Sequence, residues 1–369
     1  MIKTRFTELV GVKYPIIQAG MGPFSTNKMC ANASNAGAVG LISTSGLASQ
    51  LMAPEMYEIF IQTTPGAKEA KSPLELYKAI YRNTLNLTRE SKGIFGSNIM
   101  VSEELRGMSK KMIETLKEVR EESDEMAERG KIIITSAGDP VKVSDMIRDS
   151  GMVWGHVLPS IKHAKRAAKA GVDFMIASGQ EGGFHGPWEP ISSMVLLPAV
   201  CEEFPDIPVI GAGGYCDGKT LAAALTLGAD GVQMGTRFLA TKDCEFADIW
   251  KEQVVKTEDR GSLRARGMVG PARYLKTPVS QNMCQTTITY APGTFTGIPD
   301  TLTTIPTRVL MAEMKGFAAT FEGNSETALF AGGECAQRIN DMPTAAELVE
   351  RIMKDAELAL RGASNKYLT

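Results

Sequence analysis

Residues 177–188 (ASGQEGGFHGPW) place one titratable imidazole, His185, in a turn with Gly179, Gly182 and Gly183, four residues after Glu181. Glycines without a Cβ let the backbone pass close to a flat ligand. An imidazole with an unperturbed pKa near ~6.5 can take or return a proton at neutral pH, help worth roughly 10²- to 10⁴-fold. Proton transfer at a ligand lying against bare backbone is therefore the chemistry this loop offers. The plain alternative is a glycine-rich surface turn with an incidental histidine. Two further turns widen the case. Gly213 and Gly214 follow the apolar run 207–211, and Gly235 and Thr236 follow the run 231–234. Paired backbone N–H groups in such turns, with a hydroxyl beside them, make a cradle for one phosphate.

The residues between these turns determine how they must be positioned. Eight short apolar runs, 14–19, 39–43, 94–100, 131–135, 152–157, 172–177, 207–211 and 231–234, alternate with helical patterns. They lack polar alternation, as strands covered on both faces do. Eight such units predict a (β/α)₈ TIM barrel, an α/β fold whose reactive groups sit at the C-terminal strand ends. The loop with His185 then follows the sixth strand, and the two glycine pairs follow the seventh and eighth, the usual phosphate position of a barrel. A third glycine turn, Ala19, Gly20 and Met21, follows the first strand. Asp139 before Pro140 and Asp217 before the alanine-rich stretch 219–227 signal helix starts.

Two segments exceed a minimal barrel. Residues 47–92 form a long insertion with helical content, notably 73–81. After residue 245 comes a polar, Pro- and Gly-rich stretch, 261–306, then helical patterns at 327–339 and 344–360. The expected organisation is a barrel over 1–245 and a C-terminal lobe over 246–369 that lies on the barrel mouth and is not an independent domain.

Composition narrows the function classes. The 369 residues are 43% hydrophobic and 22% charged with a net charge of −2, which gives no electrostatic reason for nucleic-acid or membrane partners. No apolar run approaches the ~18 residues of a bilayer span. The first residues carry charge where a signal peptide needs an apolar core. Six cysteines without a C-x-x-C pair argue against structural zinc or a disulfide framework, and a cytoplasmic setting is expected.

Residues 13–21 (KYPIIQAGM), the segment holding Glu181 and His185, Ala212–Gly214 and the run 234–238 (MGTRF) resemble the nitronate monooxygenase (2-nitropropane dioxygenase) family. The likeness covers residues 5 to about 245, with a weaker echo at 329–336 (LFAGGECA). That family includes FMN-dependent enoyl-acyl-carrier-protein reductases. The resemblance implies a flavoprotein oxidoreductase holding FMN, with the flavin phosphate on Gly213, Gly214, Gly235 and Thr236. It implies the ring against Ala19, Gly20 and Met21, near Asn98 and Ser178 or Gly179, with Glu181 and Gly183 in the same pocket and His185 as the catalytic group. Glu181 as a support for its own loop is the other reading of that residue. The chain departs from the family at Phe184, where members often carry glycine.

The leading expectation is oxidation of alkyl nitronates or related carbon acids. The runner-up is reduction of an enoyl thioester of acyl-carrier protein or coenzyme A, with NADH or NADPH as electron donor. Arg264, Arg266 and Arg273 would then contact the anionic tail of the thioester. A flavin binder without turnover leaves His185 without a task, and a colourless purified protein would point to an unrelated phosphosugar barrel. Lys162, Lys165 and Arg166 read as a solvated helix face, and His163 as a solvated or capping residue. His156 faces either the mouth or the helices.

Overall fold

Strand formation follows the apolar runs closely. A computed structural model describes residues 2–22, 27–50, 57, 58, 61, 64–300 and 305–368. Pro23, at the end of the first glycine turn, and parts of the 47–92 and 261–306 segments lie outside the described residues. The barrel strands are β1 (Ile16–Gln18), β2 (Gly40–Ser43), β3 (Phe95–Met100), β4 (Ile132–Ser136), β5 (Val153–Leu158) and β6 (Phe174–Ser178), then β8 (Val209–Ala212) and β9 (Gly231–Met234). All pair in parallel, in the order β1-β9-β8-β6-β5-β4-β3-β2. Val39 closes the ring: its N–H donates to the Ile16 carbonyl at 2.9 Å, and its carbonyl accepts from Gln18 N at 2.8 Å.

The two faces of each strand part into two cores. Ile17, Leu41, Ile134, Phe174, Ile176 and Ile210 fill the interior together with Phe6 and Val10 of the helix Arg5–Val10, which plugs the N-terminal end. Phe6 and Phe174 meet edge to face with ring centroids 5.2 Å apart. Ile16, Ile42, Ile133, Trp154, Met175, Val209 and Met234 point outward into the helical layer. Each fully buried large side chain contributes about 1.5–3 kcal/mol, so this double coverage fixes which side chains can reach the mouth. By alternation those are the residues in phase with the interior set, among them Asn98, Ser178 and Gln233. No helix among the described residues is long and apolar enough to cross a membrane.

The lobe differs from its expected outline. Residues 261–306 are not largely irregular: β10 (Ser262–Arg266) and β11 (Pro271–Leu275) form an antiparallel hairpin, followed by the helix Pro278–Tyr290. The hairpin's own ladder is local, and β11 also pairs with β7 (Phe184–His185), a two-residue strand in the loop after β6 some 90 residues upstream, beyond the reach of local patterning. The stretch 327–339 is not a helix either. Ala331 bridges Tyr274, Gly332 and Gly333 break the chain, and only Glu334–Arg338 forms a 3-10 turn. A helix absent from the expected outline, Thr307–Phe321, buries Val309, Glu313, Phe317 and Thr320 on one face. The last helix, Ala345–Tyr367, starts at a capping box of Thr344 and Glu347.

Candidate active site

Glycine turns from four places meet at the C-terminal mouth of the barrel. Gly179 N donates to the Ala212 carbonyl at 2.9 Å, tying the loop after β6 to the end of β8. Gly213 has φ +84°, and a Cβ there would stand 2.7 Å from the Gly179 carbonyl oxygen. Gly183 lies against Gly332 and Gly333 of the lobe, so tightly that a Cβ on it would come within 2.6 Å of both. Gly333 N donates to the Thr236 hydroxyl at 2.9 Å, and Glu334 N donates to the Glu181 carbonyl at 2.9 Å. The weak sequence echo at 329–336 is thus part of the same structure. The amides of Gly213, Gly214 and Gly235 take no part in the turn and loop hydrogen bonds among the described residues.

The first turn lines the opposite wall. A Cβ on Gly20 would stand 2.8 Å from the Asn98 Cβ, and one on Gly235 3.1 Å from the Met21 sulfur and 3.7 Å from the Ala19 Cβ. Asn98 donates through Nδ2 to the Ile134 carbonyl and the Ser136 hydroxyl, both at 3.3 Å. Ser178 ends β6 beside Gly182. Gln233, a residue with no motif to mark it in the sequence, has its Oε1 buried with no hydrogen-bond partner. An orphaned acceptor deep in a polar mouth costs about 1–3 kcal/mol and calls for a donor. The carboxylate of Glu181 caps a helix: both its oxygens accept from Ser193 N, at 3.1 and 3.0 Å. It does so from within the loop cluster, its Oε2 standing where a Cβ on Gly179 would collide with it.

His185 is carried on β7, paired with Ala272, and Gly186 N donates to the Pro271 carbonyl at 2.9 Å. Phe184 before it adopts φ +65°, the left-handed region that glycine occupies at little cost. A glycine would hold this backbone without that cost. Here phenylalanine accepts the strain, and its ring packs on the His185 ring at 4.0 Å and on Phe317 at 5.4 Å. The His185 side chain is 26% exposed, and its Nε2 lies 3.8 Å from Glu313 Oε1. Its Nδ1 is buried without a partner. Burial lowers the imidazole pKa; Glu313 opposes that shift and Arg266 adds to it. Burial thus favours the neutral ring, the form that accepts a proton.

The three arginines expected to meet an anionic tail are largely committed elsewhere. Arg273 donates to the Gln180 carbonyl and pairs with Glu334 at 2.8 Å. Arg266 is 2% exposed, donates to the Gly267 carbonyl, lies 3.6 Å from Asp300 and stacks over Trp188 at 5.3 Å. Half-buried Arg264 donates to the Pro187 carbonyl at 2.8 Å. These arginines hold the lobe to the loop after β6. The other histidines stand outside the site. His156 faces the helical layer with Trp154, its Nδ1 2.8 Å from the Thr135 hydroxyl, and burial pushes its pKa down to about 4. His163 sits 2.8 Å from the hydroxyl of its N-cap, Ser160. Lys165 and Arg166 pair with Glu203 and Asp139.

Comparison with known proteins places most of the chain in one family. Residues 3–355 match the family model described as nitronate monooxygenase. A Rhodococcus jostii protein named (3aS,4S,5R,7aS)-5-hydroxy-7a-methyl-1-oxo-octahydro-1H-indene-4-carboxyl-CoA dehydrogenase is 30% identical over 96% of each chain. A probable nitronate monooxygenase of Staphylococcus saprophyticus is 26% identical over 96% of this chain and 98% of its own. Among solved structures, FabK from Thermotoga maritima superposes with a TM-score of 0.76, at 25% identity and 99% coverage of both chains.

Proposed function

The chain belongs to the nitronate monooxygenase family, and from that premise we propose that it is an FMN-dependent oxidoreductase of carbon acids in which His185 is the general base. The observation that carries the chemistry is His185 itself. It is an imidazole, partly exposed, on a strained two-residue strand that joins the barrel mouth to the lobe, and its burial favours the neutral form. Three features fit FMN. The turns at Gly213–Gly214 and Gly235–Thr236 end the adjacent strands β8 and β9, and their glycine amides are free of turn and loop hydrogen bonds among the described residues, as a phosphate cradle requires. Gln233 offers an orphaned acceptor in the mouth. Ala19, Gly20, Met21, Asn98, Ser178 and Gly179 supply a close-fitting wall with few polar groups.

When bound, FMN supplies the acceptor or donor for a hydride. The protein's own work is at the neighbouring carbon. His185 removes the proton from the carbon next to an electron-withdrawing group, or returns one in the reverse direction. Glu181 keeps the loop in place by capping the helix Ser193–Glu203. Gly183 packed against Gly332 and Gly333 closes the lobe over the base.

For the substrate class we favour an acyl thioester of coenzyme A, dehydrogenated or, with NADH or NADPH, reduced. The full-length likeness to the Rhodococcus CoA dehydrogenase supports it. An alkyl nitronate is the second reading, supported by the family description and the Staphylococcus relative. The test is anaerobic flavin spectroscopy of the loaded protein with each reductant separately. Bleaching by a saturated acyl-CoA or by NAD(P)H, with reoxidation by an enoyl-CoA, fits the favoured class. Bleaching by an alkyl nitronate alone selects the second reading, and a protein that binds no flavin refutes both.

A further inference from the structure

Glu313 is a carboxylate in a place where helices put leucine. It falls on the buried stripe Val309, Glu313, Phe317 of the helix Thr307–Phe321, and its side chain is 4% exposed. Burying an ionised carboxylate is costly unless partners receive it. Two donors do. The Tyr274 hydroxyl donates to Oε1 at 2.5 Å, and Met268 N donates to Oε2 at 2.8 Å. Among the described residues the one basic side chain within 4 Å of the carboxylate is His185, whose Nε2 is 3.8 Å away. That gap is too long for a hydrogen bond and short enough to close when the ring gains a proton. On the same helix face, Phe317 packs the Phe184 ring that in turn covers the imidazole.

We propose that Glu313 is a positioning residue for His185: its carboxylate, held by Tyr274 and Met268, receives the imidazolium that forms when the base takes up a proton. The inference rests on His185 acting as that base. Tyr274 remains a donor because burial and the neighbouring Glu313 push its pKa well above the usual phenol range. The remaining charge facing the ring is Arg266, on β10, itself partnered by Asp300. Nothing local in sequence relates these groups. Glu313, Tyr274 and Arg266 come from a helix and two strands of the lobe, and His185 comes from the barrel loop, so the lobe sets the proton affinity of the base.

The test is an NMR titration of the histidine side chains in the full chain, with and without added FMN. The three histidines are resolved by isotope labelling, and His185 is assigned with His185→Asn. Glu313→Gln keeps the shape while removing the charge: its amide oxygen can accept from Met268 N, and its Nε2 can donate to the Tyr274 hydroxyl. It should lower the His185 pKa by roughly one unit, the effect of a unit charge at this distance in a water-like dielectric. Glu313→Asp should recover part of that shift. Tyr274→Phe concentrates charge on Oε1 and should move the pKa upward. The His156 resonance, outside the cluster, reports whether each variant is folded. A His185 pKa within about 0.2 units of wild type in folded Glu313→Gln overturns the inference, whatever His185 does in catalysis. If that variant does not fold, Tyr274→Phe decides: an upward shift supports the coupling, and no shift overturns it. Coupling without any loss of turnover in His185→Ala would overturn the base assignment instead.

Discussion

Gly213→Ala probes the junction on which the cofactor site depends. The residue sits at φ +84°, where an L side chain costs about 1–2 kcal/mol. The added Cβ would also stand 2.7 Å from the Gly179 carbonyl oxygen and 3.1 Å from the amides of Gly179 and Gly182. All three are backbone atoms and cannot rotate aside, so the loop after β6 must back away by roughly half an ångström to reach ordinary contact. That movement strains the Gly179 N to Ala212 carbonyl bond of 2.9 Å, worth about 1 kcal/mol. The sum is a destabilisation of about 2–4 kcal/mol, read from the urea midpoint of the flavin-free protein at constant m-value. The FMN dissociation constant, followed by quenching of flavin fluorescence, should rise at least tenfold, since each ~1.4 kcal/mol is a factor of ten. Gly235→Ala is the control. At φ −102° its Cβ would meet the flexible end of Met21 at 3.1 Å and the Ala19 Cβ at an ordinary 3.7 Å, so stability should stay within about 1 kcal/mol while FMN affinity falls. A Gly213→Ala protein within about 0.5 kcal/mol of wild type, or with wild-type FMN affinity, would refute the reasoning.

Other perturbations test separate parts of the account. Gln233→Met removes an acceptor that has no partner, so the flavin-free protein should unfold at the same or a higher urea concentration while FMN binds about tenfold more weakly; clear destabilisation would mean that the amide already has a protein partner. At position 184, φ +65° makes glycine the better truncation. Phe184→Ala should be less stable than Phe184→Gly by about 1 kcal/mol in urea, against the usual order of those two residues, and the reverse order would show that no backbone strain is stored there. His156 has a folded pKa of about 4 against ~6.5 unfolded, so its contribution is complete above pH 6.5 and lost as the pH falls toward 4, about 3 kcal/mol in all. Over that window His156→Gln should show a shallower fall in stability, by about one proton, in denaturation curves at stepped pH.

The barrel is legible in the sequence because each strand is a short apolar run, and several of the helices between them carry a capping signal. Asp217 illustrates the agreement: it caps Gly218–Thr226 with Thr220, one residue from the expected start. The glycine turns are legible for the same reason, since a chain that passes close to its neighbours must give up its Cβ atoms. The lobe is less so. Ser262–Arg266 and Pro271–Leu275 pair with each other, and Pro271–Leu275 alone goes on to pair with Phe184–His185, a partner that no local pattern reveals. The helix Thr307–Phe321 escapes because Glu313 interrupts its apolar stripe. That interruption is itself the signal, a carboxylate at the buried spacing between Val309 and Phe317. Arg266 and Arg273 mislead in the opposite sense, as charges in a loop-like stretch whose structure buries and pairs them.

The central claim is that His185 moves the proton while the barrel turns hold FMN, and His185→Ala tests it most directly. The measurement is anaerobic stopped-flow of the flavin-loaded protein in single turnover, wild type beside variant, with the substrate that bleaches the wild type. The account predicts equal FMN content in the two proteins and a half-reaction slowed by about 10² or more in the variant. Unchanged rates of flavin reduction and reoxidation from pH 5 to pH 9, with FMN bound in both proteins, would contradict it.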